Sequence, residues 1–279
     1  MEFGLGLTPI DDRDRDWLTA NCVEFPLSCC AAGDVPESYH PPLTKKNQSR
    51  TNTCAGHAFS TGREQLNYEA TGTIEVYSAL AAYLLAKRVY DGTASDNGTS
   101  ISSLFDAAAR SGTPREESCQ FRGAVNPHAL TAAAIAEAAD HKIGQFVRLK
   151  SYDAIWRFKT SGQGFIVFGG PWFDGMTARE LGTRRETPDA MGGRLLGFHA
   201  RVITGWYSPA EMLAYVRNFD PARPDLEVWN SHDDGPRPIS AEMIDRLCAD
   251  PRCEIIGCSE QREFAPRRPV DWKVTECLI

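Results

Sequence analysis

The order in which helical and strand patterns occur constrains this chain more than any other feature. The first half carries helical periods from about Cys54 to Ala70, Ile74 to Tyr90, Ser100 to Arg110 and 128–139. Gly72, Asp91-Gly92 and Ser111-Gly112 supply the stops. In the second half, short runs rich in β-branched and aromatic residues lie between turn residues: Phe146–Leu149, Gly164–Phe168, Arg201–Trp206 and Leu226–Asn230. One later helix spans about Ala241–Leu247. Helices first and strands second predict an α+β chain of two lobes. Residues 1–46, with Pro9, Pro26, Pro36, Pro41 and Pro42 and no long helical period, read as an extended arm. The division is then an arm over 1–46, a helical lobe over 47–145, a β-rich lobe over 146–258 and a tail over 259–279.

Length and charge narrow the partners. At 279 residues there is ample chain for a core, and 42% apolar with 24% charged residues is ordinary globular composition. A net charge of −7 gives no electrostatic case for nucleic acid or an anionic membrane. No apolar run approaches the roughly 20 residues that span a bilayer. The acidic start has no apolar segment of a secretory signal, so the expected location is cytoplasmic or inside a particle. The nine cysteines then read as reduced and mostly structural. Cys29-Cys30 is a possible disulfide or metal pair, but Cys248, Cys253 and Cys258 fit no zinc spacing, and no cofactor is implied.

Chemistry concentrates between Asn47 and Ser60. The stretch is polar and turn-forming until Cys54, where the helical pattern begins. A helix N-terminus offers unpaired N–H groups and the positive end of the dipole, which favour a thiolate. Gln48, six residues earlier, is placed to donate to an oxyanion beside the Cys54 N–H. A base and its orienting group follow much later. Gly197-Phe198-His199-Ala200 places His199 at the start of a strand, and Val228-Trp229-Asn230-Ser231 places Asn230 at the end of one. A histidine beside a thiol holds the pair as thiolate–imidazolium, and an asparagine oxygen fixes the ring without adding charge.

Cys, His and Asn in that order, with Gln before the Cys, resemble the papain-like cysteine peptidases, and in particular their compact bacterial and phage members. Asn47-Gln48 and Cys54 match the Asn/Asp-Gln-Gly-x-x-x-x-Cys segment, Gly197–Ala200 is similar to Gly-Gly-His-Ala, and Trp229–Ser231 is similar to the segment with Asn-Ser. Asp96–Ile101 and its following helix resemble the Gly-containing groove wall, and Asp11–Trp17 is similar to the Asp-x-Arg-Asp entry of such members. The resemblance implies a helical left lobe, an antiparallel, barrel-like right lobe and a site in the cleft between them. It implies Cys54 as nucleophile, His199 as base, Asn230 as orienter and Gln48 as oxyanion donor, with Gly98, Thr99 and Phe198 along a groove that takes a peptide or protein.

Four departures stand out. Ser49 replaces a glycine; Ala55-Gly56 and His232 stand where tryptophans are usual; and Asp233-Asp234-Gly235 places acidic groups that would raise the His199 pKa if close. The arm is too short and too unlike a helical prodomain to serve as an inhibitory segment. The chain is then a peptidase of narrow specificity, an amidase or cell-wall peptidase on the same triad, or a weakly active peptide-binding subunit of a larger assembly such as a phage virion. His57, at i+3 from Cys54, reads as a helix-surface residue, and His232 as a solvated neighbour of Asn230. Trp172 and Trp206 read as core, Asp96 as a turn or cap, and the stretch 177–194 with Arg184-Arg185 as a loop able to gate the cleft.

Overall fold

Local chemistry fixes the helix ends in the computed structural model, which describes residues 5–24, 35–162, 164–177, 185–213, 222–232 and 235–259. Helix α1 (Asp12–Asn21) opens on a reciprocal capping box in which Asp11 and Asp14 accept from each other's N–H groups. The arm therefore contains a helix that its sparse apolar residues concealed: only Asp14, Trp17 and Leu18 are buried, too few for a readable period. It continues into a short strand, β1 (Cys22–Glu24).

Helix α2 (Cys54–Thr71) starts at the expected cysteine and stops at Gly72, whose φ of 71° is left-handed. Helix α3 (Ala79–Ala86) starts later than its pattern predicts because Ser78 caps it through the Ala81 N–H. A π-helical turn over Lys87–Asp91 extends it. Ser100 caps α4 (Ile101–Ser111) and Thr131 caps α5 (Ala132–Ala138).

Among the described residues, seven strands form one sheet in the order β1-β2-β7-β3-β4-β5-β6, where β2 is Phe146–Arg148, β3 Phe165–Phe173, β4 Leu195–Trp206, β5 Leu226–Trp229, β6 Arg237–Ile239 and β7 Glu254–Cys258. Of these strands, β1 and β2 pair in parallel and the other neighbours are antiparallel. The sheet is open, which corrects the barrel-like expectation: its two end strands, β1 and β6, are not neighbours. Alternation along the strands builds two cores. Phe146, Phe165, Val167, Ala200 and Val202 face α2 and α4, where Phe59, Phe105 and Phe165 pack ring on ring. Val147, Ile166, Phe168, Ile203 and Val228 face the other way, against Ile155 and Phe158 of α6 (Tyr152–Thr160) and Met243, Ile244 and Leu247 of α7 (Ala241–Ala249). Strand β4 thus carries core residues on both faces and lies beside the N-terminus of α2.

Candidate active site

Cys54 is the first residue of α2 and is fully buried. The N–H groups of Ala200, Gly6, Ala55 and Cys54 itself face its sulfur. Ala200 is the β4 neighbour of His199, so the strand that carries the histidine abuts the thiol. His199 lies well inside β4, not at its start, because the strand begins at Leu195 and pairs Trp172 with Gly197 and Gly170 with His199. Gly197 before it is strand, whereas Gly192 and Gly193 lie outside the strand.

His199 is 1% exposed, and its Nε2 lies 2.8 Å from Asn230 Oδ1. The same oxygen accepts the His232 N–H at 3.1 Å, which marks it as the carbonyl end of the amide. Nε2 therefore carries the proton, and Nδ1 holds a lone pair. Nδ1 is buried without a hydrogen-bond partner, at a cost of about 1–3 kcal/mol. Two rings cover the imidazole. Trp172 meets it edge-on at 5.0 Å and 63°, and His232 stacks on it at 5.2 Å and 23°. Trp172 is in turn backed by the Arg201 guanidinium at 5.0 Å. Arg201 pairs with buried Glu186, which Arg237 also approaches at 3.4 Å. Sequence reasoning missed both rings: Trp172 is core as expected but is also a wall of the histidine, and His232 occupies the place of the usual tryptophan as a stacked ring.

Gln48 is completely buried, and its loop is tied to the Asn230 segment. Its N–H donates to Ser231 O at 3.1 Å, its Nε2 donates to Thr51 O at 2.7 Å, and its Oε1 accepts from the Ser231 hydroxyl. Ser49, in the place of a glycine, has a φ of 56°. His57 is not a surface residue: it is 2% exposed, lies 3.0 Å from Thr53 O and packs edge-on against Phe121. Burial holds it near a pKa of about 4. Asp96 organises the loop as expected, accepting both N–H groups of Asn52 at 2.9 Å. Trp206 is core as expected, packed on Tyr39 and Trp156 with its Nε1 3.0 Å from Pro36 O. Arg185 is moored to Asp225 at 2.9 Å, whereas Arg184, Cys29-Cys30, Asp233-Asp234 and residues 260–279 lie outside the described residues.

The groove expected beside Gly98, Thr99 and Phe198 is filled by the chain itself. Residues 5–8 run between the two walls: Leu7 N–H donates to Phe198 O at 3.3 Å, Thr8 N–H to Thr99 O at 3.2 Å, and Thr99 N–H to Gly6 O at 3.0 Å. Leu7 and Thr99 pair in parallel. Gly98, at φ 86°, admits this approach, since an added Cβ would stand 2.3 Å from Gly6 O. Buried Lys87 holds Gly98 in place through its carbonyl at 2.9 Å. Leu7 lies over Gly169 beside Ile101. The arm expected to leave the groove free therefore crosses it, because backbone pairing needs no side-chain signature.

Burial beneath this segment reverses the expected charge state. It pushes the Cys54 thiol up to about 11. It also holds His199 well below the usual imidazole range, with His232 adding to the effect. With the groove filled, the pair is neutral Cys54 and neutral His199.

This chain has the fold of the papain-like cysteine proteases. Xylellain, a cysteine protease from Xylella fastidiosa, matches 94% of this chain and 97% of its own at a TM-score of 0.71 and 16% identity. Procathepsin B S9 from Trypanosoma congolense matches 91% of this chain and 87% of its own at 0.59 and 13%. Bromelain from Ananas comosus, solved in complex with the E64 inhibitor, matches 81% of this chain and 100% of its own at 0.56 and 14%. No family model matches the sequence, and no curated protein does.

Proposed function

We propose that the protein is a cysteine peptidase that acts through Cys54, His199 and Asn230. The observation that carries this reading is the buried, unpartnered Nδ1 of a histidine whose other nitrogen is bound to an asparagine oxygen, on the strand that abuts a cysteine at a helix N-terminus. With the groove open, water relieves the burial, Nδ1 takes the thiol proton, and the thiolate attacks a peptide carbonyl. The Cys54 N–H and the Gln48 amide are the proposed donors to the oxyanion. His199 returns the proton to the leaving amine, and water releases the acyl group. Thr99 and Phe198 offer backbone groups to an extended peptide, as they do to residues 6–8, and Gly98 leaves room for its approach. The substrate is then a peptide or protein.

A second reading has one observation in its favour: the groove is already full and Cys54 has no exposure. A peptide-binding subunit of an assembly would look the same. Leu7→Asp in the full chain separates the two, because a carboxylate over Gly169 and Ile101 expels the segment. Under the peptidase reading, iodoacetamide then alkylates Cys54 rapidly at pH 5–6, the reaction requires His199, and peptide hydrolysis appears. A thiol that still reacts only near its free pKa of about 8.5, with or without His199, would assign the protein to binding.

A further inference from the structure

The segment in the groove is anchored elsewhere, through α1. Trp17 Nε1 donates to Asp106 Oδ1 at 3.0 Å and its ring packs on Phe146 at 5.2 Å. Asp14, 2% exposed, accepts from the hydroxyls of Ser100, at 2.7 Å, and Ser102. A third carboxyl faces this anchor from the body. Glu254, the first residue of β7, is 4% exposed and sits in register with Gly169, the residue beneath Leu7. The Ile101 N–H faces it, and its Oε1 is buried with no hydrogen-bond partner. The titratable and charged groups around it are Asp14 and Asp11 from α1 and its cap, Arg148 from β2 and Cys22 from β1. Buried Asp14 of the arm and buried Glu254 of the body thus meet at a junction with exposed Asp11 at its edge and a single guanidinium among these groups.

We propose that this junction is a latch that loosens as pH rises: protonated Glu254 lets α1 pack against it, and ionised Glu254 repels Asp14 and Asp11 and frees residues 5–8 from the groove. The inference rests on the peptidase reading for its meaning and supplies the regulation of that site. Burial first, and then Asp14, lift the Glu254 carboxyl to about 8 while α1 is docked. Arg148 pulls the other way and ranks behind Asp14. Release admits water and removes both aspartates, so the group falls toward the ordinary glutamate value of about 4.3. Between those two values the docked form holds one proton more than the released form. Docking is therefore tightest below the lower value, weakens by up to about tenfold per pH unit across the window, and levels off above the upper one. The proton lost from Glu254 passes to solvent.

The test needs no turnover. In full-length Cys54→Ala, hydrogen-exchange protection of the Leu7 and Thr8 amides, corrected for intrinsic exchange, is followed from pH 5.5 to 8. The expected loss is about tenfold or more. The same protein carrying Glu254→Gln keeps the shape of the protonated acid, and its protection should change less than about twofold. Asp14→Asn, made on the arm side, should also flatten the slope, which keeps the test decisive if the glutamine variant folds poorly. Protection independent of pH in the parent, or an equal decline in parent and variants, overturns the latch. Either result leaves the peptidase reading to be judged by the Leu7→Asp alkylation experiment, so the two fail separately.

Discussion

Two segments meet at Cys54, and they are held by different means. Strand β4 brings His199 and Ala200 to the sulfur as part of a sheet, paired along one edge with β3 and along the other with β5, with core on both faces. Residues 5–8 reach the same sulfur through a few backbone bonds to Thr99 and Phe198 and one buried leucine, and their anchor contains the acidic junction at Asp14. In the peptidase reading the base belongs to a strand paired on both edges, and the segment over it is tied to the body through one helix. The proposed chemistry then sits in the fixed part, and the proposed latch governs access to it.

Variants of the fixed part sharpen that contrast most. Once the groove has been opened, Cys54→Ala should abolish peptide hydrolysis, and His199→Ala should cost roughly 10⁴-fold in kcat, both with unchanged circular dichroism. Asn230→Ala should lose less than His199→Ala, because Trp172 and His232 still hold the ring. Equal, negligible losses in all three would remove the catalytic assignment. Next comes Trp172→Ala, which deletes a wall of His199 and the seat of Arg201. A loss of about 3–5 kcal/mol in denaturant unfolding is expected; a loss below about 1 kcal/mol would show that the ring is not structural. The smallest effect belongs to the Gln48 loop. Ser49→Gly relieves a left-handed residue and should raise stability by up to about 1 kcal/mol in the same assay. The Asx turn from the backbone N–H of residue 49 to Asn47 Oδ1 at 2.7 Å survives the change, so a drop would mean that glycine's greater freedom in the unfolded chain outweighs the relieved strain.

The sequence was most readable where function sits on a few contiguous residues. Cys54 at a helix start, Asn230 at a strand end and the caps at Ser100 and Gly72 all follow from local rules. The His199 strand was legible too, although not its first residues, since glycine and phenylalanine before a histidine read as a loop. What escaped depends on distant partners. Helix α1 lay hidden in what read as an extended arm, because a helix that buries so few apolar residues has no strong period. Leu5 to Thr8 carry no motif: their place is set by pairing with residues far along the chain. His57 looked exposed by spacing alone, yet it is buried, with Thr53 and Phe121 against its ring. The buried Arg201–Glu186–Arg237 group likewise joins segments that no window contains.

The Gly6 N–H that points at the Cys54 sulfur has one more consequence. A nucleophile consumes an inhibitor that offers it an electrophilic carbon. Here the segment offers a proton donor, and its Gly6 carbonyl oxygen is turned away to the Thr99 N–H. In the peptidase reading, the docked chain does not nick itself while it waits. In that reading an occupant that is not consumed leaves the chain intact for the next opening of the groove.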